Sequence, residues 1–266
     1  MSSEVARFVG SIPELYDRHL GPVLFEPYAR DLAARLGDAQ RVLEVAAGTG
    51  RVTRQLLAAL VPEGELVATD LNEPMIIEGR ARVGNDRRLT WQTADAQALP
   101  FDDASFDAVV CQFGLMFCPD RQRALAEMRR VLRPQGRLLF NTWDSLDRNP
   151  GSKVVHELAY KAFPDDPPTF MKVPFSLPDP DELRALVHDA GFREVRIQTV
   201  AKVGEAPTAA HFATGIVRGN PLWNQLVERG VDAPAFEAAV TEALRATFGD
   251  EPCRHPLSAH VVTAVA

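Results

Sequence analysis

The chain has 266 residues, 46% hydrophobic and 24% charged, which suffices for a sizeable globular core and excludes a disordered or fibrous polymer. Its formal net charge of -7, without a Lys/Arg-rich stripe, argues against a nucleic-acid partner. Cys111, Cys118 and Cys253 are an odd number with no CxxC spacing, so neither a disulfide framework nor a metal site is expected.

The opening "MSSEVARFVGSIPELY" lacks a sustained apolar segment before a small-residue cleavage site, and no apolar run reaches bilayer length. A cytoplasmic protein without a membrane span is expected. Residues 12–40 read as helical pieces broken by Pro13, Pro22 and Pro27, with "FEPYARDLAARLG" an amphipathic helix stopped by Gly37.

A repeated alternation follows. "RVLEVAA" is a β-branched strand, residues 48–60 have helical periodicity, "ELVATD" is a second strand and "EPMIIEGRAR" a second helix. "LTWQTAD" is a third strand, and the apolar "SFDAVVCQFG" suits a fourth strand covered on both faces. "RQRALAEMRRVLR" is a helix whose arginines face away from its apolar stripe; after the turn at Pro134, Gln135 and Gly136, "RLLFNTW" is a fifth strand. Strands and helices in alternation predict parallel crossovers in an open, doubly wound sheet, with the ligand at the carboxyl ends of the strands.

Downstream the pattern loosens. A helix and a Pro-rich connection precede "DPDELRALVHDAGF", a helix that feeds the strand "REVRIQTVAKV". Residues 205–250 read as several short helices, an excursion before the terminal strand "SAHVVTAVA". No second-domain boundary is legible: a single domain over 1–266 is expected, with a cofactor-binding core at 40–145 and cover or lid segments at 1–36, 145–178 and 205–250.

Gly48 and Gly50 lie between a strand and a helix, where a missing side chain lets backbone N–H groups approach a ligand. Asp70 ends the second strand, placed for a carboxylate to accept from ribose hydroxyls. A dinucleotide turn requires a small third residue, but in Gly48-Thr49-Gly50-Arg51-Val52-Thr53 that place is taken by β-branched Thr53.

Glu44, Gly48 and Gly50 form E-x-x-x-G-x-G, followed in order by "VATDLNEPMI", "TADAQALPFDDASFDAVVCQFGLMFCPD" and "ALAEMRRVLRPQGRLLFNTW". Taken jointly these motifs resemble the class I S-adenosylmethionine-dependent methyltransferases, closest to the subgroup that includes ubiquinone and menaquinone methyltransferases and many small-molecule enzymes. The resemblance implies a Rossmann-like, mostly parallel seven-stranded α/β sheet with helical lid insertions, and S-adenosylmethionine as cofactor. It implies that Glu44 and the Gly48/Gly50 turn hold the methionine end, Asp70 the ribose, and Leu71 and Met75 the adenine face, with Ala46 and Arg51 further cofactor contacts. Asp95 would accept from the adenine amino group beside the Ala96 N–H, Gln112 and Phe113 would lie beside the methionyl chain, and Tyr16 would lie in the N-terminal segment that folds over the cofactor. Two departures stand out: Pro134-Gln135-Gly136 for the usual Pro-Gly-Gly, and Ala46 for a common glycine, compatible if that position keeps negative φ.

Methyl transfer from a sulfonium needs alignment more than a fixed catalytic group, so the acceptor stays open. His19, His156 and His211 are candidate bases; most histidines are not catalytic, and His19 is preferred because it lies with Tyr16 in the N-terminal cover. Met116 of "FGLMF", with Trp143, Phe170 and His211, is expected to line an apolar, aromatic acceptor pocket. A small-molecule substrate is expected, and a homodimer is compatible with it. The rival readings are a nicotinamide-dependent oxidoreductase and a non-catalytic nucleoside-binding protein.

Overall fold

The computed structural model describes Phe8 and residues 10–266. In chain order its main elements are α1 (Ile12–Leu15), a π-helical stretch (Tyr16–Phe25), α2 (Glu26–Ala34), β1 (Arg41–Val45), α3 (Arg51–Ala59), β2 (Glu65–Asp70), α4 (Glu73–Val83) and β3 (Leu89–Thr93). There follow β4 (Phe106–Gln112), α5 (Arg121–Val131), β5 (Leu132–Trp143), α6 (Pro150–Ala162), α7 (Pro180–Asp189), β6 (Arg193–Ala206), α8 (Ala209–Arg218), α9 (Leu222–Glu228), α10 (Ala233–Phe248) and β7 (Cys253–Val265). No helix among the described residues is long and apolar enough to cross a membrane.

The described residues divide into two compact units, one of those up to residue 27 with 144–176 and 201–258, the other of 28–143, 177–200 and 259–266. The seven strands form one sheet in the order β3-β2-β1-β4-β5-β7-β6. Pairing is parallel from β3 to β5, and β5 meets β7 antiparallel. The expected α/β architecture is therefore present, and strand order reverses between β1 and β4, which opens a crevice at their carboxyl ends.

Packing explains the second unit. Val42 of β1, Ala108 and Val110 of β4, Leu139 of β5 and Val261 of β7 share one face. Against it lie Ala29, Leu32, Ala33 and Leu36, spaced three and four apart as helical geometry requires, together with Val52, Leu56 and Leu57 of α3. Each such buried aliphatic side chain contributes about 1.5–3 kcal/mol. Residues 28–36 thus form part of this core, whereas the sequence placed them in the cover. In α5, Ala124, Leu125, Met128 and Val131 are buried, and Asp120 caps the helix by accepting from Arg123 N at 2.9 Å. Arg130 differs from the solvated expectation: it donates to the Leu99 and Phe101 carbonyls at 2.9 and 2.7 Å and pairs with Glu127, clamping the loop before β4.

The first unit is largely helical. Pro22 does not break its helix. The π-helical stretch runs through it, and the Glu26 N–H to Gly21 carbonyl bond shows the wider turn that avoids the proline ring collision of an α-helix. Residues 205–250 hold α8, α9 and α10, the last 16 residues long and so longer than expected, capped by Asp232. His255 is 1% exposed, stacks on Phe212 at 4.3 Å, and fits because Gly151 and Gly204 offer no Cβ to collide with it. Another difference concerns β5, which begins at Leu132 and takes in the turn at 134–136, with Gln135 at φ +69° and a register shift between Phe106 and Ala108.

Candidate functional site

The site grows from three strand ends in the sheet-bearing unit. β1 runs out at Val45, and the chain turns through Ala46 at φ +57°, Gly48 at φ +56° and Gly50 at φ +81° before α3. Ala46 therefore does not keep negative φ as expected; a side-chain-bearing residue holds left-handed backbone here, a strained conformation of the kind that gathers at functional sites. A Cβ on Gly50 would stand 2.6 Å from Val83 Cγ2 and 3.1 Å from Trp91 Cη2, so only glycine lets α4 and β3 come this close.

β2 ends on Asp70, which is 7% exposed. Its Oδ2 accepts from Gly48 N at 2.9 Å and its Oδ1 from Asn72 N at 2.8 Å, which ties the glycine turn to the β2 end. Burial pushes the Asp70 carboxyl upward, and the two backbone N–H groups oppose that shift. Glu44, one strand over, pairs in register with Ala68 and Val110. It is 1% exposed, and burial pushes its carboxyl up to about 8, opposed in part by Thr53. Its Oε2 finds no hydrogen-bond donor among the described residues. A buried carboxyl with an unused oxygen beside an open glycine turn suits a ligand that brings its own donor.

The other expected residues of this unit lie on the same strand ends. Met75 is buried near the start of α4, its Cε 3.5 Å from where a Gly48 Cβ would be. Leu71 is 62% exposed, an apolar face in contact with little of the protein itself. Asp95 Oδ1 accepts from Gln97 N at 2.8 Å, fixing the turn that contains Ala96. Arg51 opens α3. At the β4 end, Gln112 faces Asn141 in register, Phe113 adopts φ +50°, and Met116 is buried two residues beyond Gly114. The Phe113 ring stacks on Trp143 at 3.9 Å with a 6° interplanar angle, and Tyr28 meets both edge-on at 5.4 Å.

Tyr16, His19, Phe170 and His211 belong to the other unit. Tyr16 stacks on Phe25 at 4.7 Å. His19 and His211 are brought together, ring centroids 4.3 Å apart, with His19 Nδ1 3.2 Å from the His211 carbonyl. Burial lowers the pKa of both. Phe170 is buried in a short helical turn and donates its N–H to Gln225 Oε1 at 2.9 Å. His156 lies elsewhere, its ring 4.4 Å from Tyr160.

Sequence reading missed three contributors. Gly79 lets α4 approach the glycine turn, since a Cβ there would lie 2.6 Å from Trp91 Cη2 and 3.2 Å from the Gly48 carbonyl. The signal was a glycine inside a helical pattern. Gly114 lets the β4 turn abut the β1 turn, where a Cβ would lie 2.5 Å from Ala46 Cβ. Asn141, wholly buried on β5, accepts the Phe113 N–H at its Oδ1, 2.9 Å away. A polar residue in an apolar strand was its only mark.

Residues 43–140 match the family model described as "Methyltransferase domain". A ubiquinone/menaquinone biosynthesis C-methyltransferase UbiE from Dinoroseobacter shibae is 36% identical over 176 residues, 61% of this chain and 70% of that protein. Among solved structures, Haemonchus contortus phosphoethanolamine N-methyltransferase 2 with S-adenosyl-L-methionine aligns at TM-score 0.61 and 15% identity, over 95% of this chain and 56% of that one. The YcgJ protein of Bacillus subtilis aligns at TM-score 0.56 and 18% identity, over 90% and 98%.

Proposed function

The chain belongs to the class I S-adenosylmethionine-dependent methyltransferases, and from that premise we propose how its residues divide the work. It transfers a methyl group from S-adenosylmethionine to a small molecule. When bound, that cofactor supplies a methyl group on a sulfonium, already activated for in-line displacement. The protein's task is alignment, and restricting the reactants in this way can supply about 7–11 kcal/mol of a bimolecular barrier.

Glu44 and the Ala46–Gly48–Gly50 turn, with Arg51, take the methionine end, Asp70 the ribose, and Leu71, Met75, Asp95 and Ala96 the adenine. Gln112 and Phe113 border the methionyl chain, and Tyr16 is proposed as a further cofactor contact. The observation that carries this reading is the tie between Asp70 Oδ2 and Gly48 N at 2.9 Å, which sets a carboxylate beside the turn that E-x-x-x-G-x-G marks. S-adenosylhomocysteine should raise the melting temperature and NADH should not; the reverse result sinks the reading. Asp70→Ala should weaken S-adenosylhomocysteine binding by about 1–3 kcal/mol, and unchanged affinity would refute the ribose role.

For the acceptor, the buried Met116 and the stacked Phe113 and Trp143 support an apolar, ring-bearing molecule. Phe170 and His211 are proposed as its further contacts. The Dinoroseobacter shibae relative's name specifies carbon methylation in ubiquinone and menaquinone biosynthesis, and an acceptor of comparable apolar character is our reading for this chain. His19 is proposed as the base: burial, the largest cause, lowers its pKa against the hydrogen bond to the His211 carbonyl, which raises it, and the net shift favours the neutral form a base needs. If it removes a proton in the transfer, His19→Ala lowers kcat by about 10²–10⁴-fold and leaves cofactor affinity alone. Free Cys111, Cys118 and Cys253 support a reducing, cytoplasmic setting, and the charge of -7 supports a reaction away from nucleic acid. A homodimer is checked by light scattering.

A further inference from the structure

Asn141 lies two residues before the end of β5, paired in register with Gln112 of β4 and Val261 of β7. It is 0% exposed. The Phe113 N–H points at it from the turn after β4, 2.9 Å from the side-chain Oδ1 and 3.2 Å from the backbone carbonyl. Because that group donates, the atom facing it must be the oxygen, and the amide orientation is fixed by chemistry. The Nδ2 group is consequently turned away from Phe113, and it has no hydrogen-bond partner among the described residues. Buried side-chain donors are nearly always satisfied, and an exception calls for an absent acceptor.

Alternation along β5 puts Asn141 on the same face as Leu139 and Trp143. The aromatic stack of Phe113 on Trp143 thus stands on the same side and at the same strand end as the unused donor. One polar group among apolar rings is how sites for small ligands fix orientation. We propose that Asn141 Nδ2 anchors the methyl acceptor by donating to one of its oxygens, a carbonyl, phenol or enol. This rests on the methyl-transfer reading above, and it narrows the acceptor to a molecule with an accepting oxygen on an otherwise apolar ring system. Asn141 is then a specificity residue: its Nδ2 touches the acceptor, while its Oδ1 holds the Phe113 turn.

The test uses two probes that differ only in the atom at issue. 1-Tetralone presents one accepting carbonyl oxygen, and tetralin is the same bicycle without it. With S-adenosylhomocysteine at saturation, the parent protein should bind 1-tetralone roughly tenfold more tightly than tetralin. In Asn141→Leu, with S-adenosylhomocysteine again at saturation, the ratio should fall to about twofold or less. Loosening of the Phe113 turn alone would weaken both probes together and leave the ratio intact, so a preserved ratio overturns the proposal. So does a parent protein that prefers neither probe. Should Asn141→Leu not fold, parent protein labelled with ¹⁵N-asparagine tests the same contact. The side-chain amide with an NOE to Phe113 must shift with 1-tetralone and not with tetralin; an unmoved resonance overturns the assignment. If S-adenosylhomocysteine itself does not bind, the cofactor reading has failed instead, and the two failures are told apart at the first titration.

Discussion

Ala46 and Phe113 hold side chains in left-handed backbone at φ +57° and +50°, one in each turn that abuts at Gly114. Ala46→Gly removes the steric conflict and should stabilise the protein to urea by about 1 kcal/mol. Glu44 gives a pH prediction. Its carboxyl rises from 4.5 to about 8 through burial, so between those values the unfolded chain has lost the proton that the folded one keeps. Its contribution to stability is complete below 4.5 and is lost as pH rises through 8, on the order of 5 kcal/mol in all. Glu44→Gln should flatten that decline in urea titrations between pH 5 and 8. The ammonium group of the cofactor's amino-acid end favours the ionised carboxylate, so S-adenosylhomocysteine binding should tighten from pH 6 to 8 in the parent and not in Glu44→Gln. Glu44, Gly48, Gly50 and Asp70 were legible because a strand, a tight turn and a helix are local patterns. The sign of φ at Ala46 was not, since alanine does not announce left-handed backbone, and Asn141 was not, since its partner Phe113 is 28 residues away.

Among elements, α4 and β3 show how close packing serves the glycine turn. Gly79→Ala would place a methyl 2.6 Å from Trp91 and 3.2 Å from the Gly48 carbonyl. It should destabilise the fold by about 1–3 kcal/mol in denaturant titrations and weaken S-adenosylhomocysteine binding, because the displaced carbonyl belongs to the turn itself. α5 was read correctly from its apolar stripe, and helical period alone sufficed there. The stretch around Pro22 was not, because a proline ends an α-helix but is tolerated in the wider π-turn. Arg130 looked like surface charge for a related reason: its acceptors, the Leu99 and Phe101 carbonyls, come from a loop that periodicity does not place.

Across the whole molecule, the two units carry buried titrating groups of opposite sense. His255, in the helical unit, is driven down to about 4 by burial, so the unfolded chain takes up a proton first as pH falls below 6.5. Its contribution is complete above 6.5 and is lost as pH falls through 4, on the order of 3 kcal/mol. Calorimetry from pH 4 to 8 should therefore show acid lability that His255→Leu relieves and alkaline weakening that Glu44→Gln relieves; a single trend shared by both variants would contradict this assignment. Alternating strands and helices made the sheet legible through β5. The division of the chain was not, because both units are discontinuous and each draws on segments far apart in sequence. The place of β7 between β5 and β6 sets an order of assembly. During synthesis β6 leaves the ribosome some fifty residues before β7, its sheet neighbour, while the outer edge of β5 stands unpaired. A nascent chain stalled after α10 therefore presents an open strand edge, the state most exposed to self-association and most in need of a chaperone.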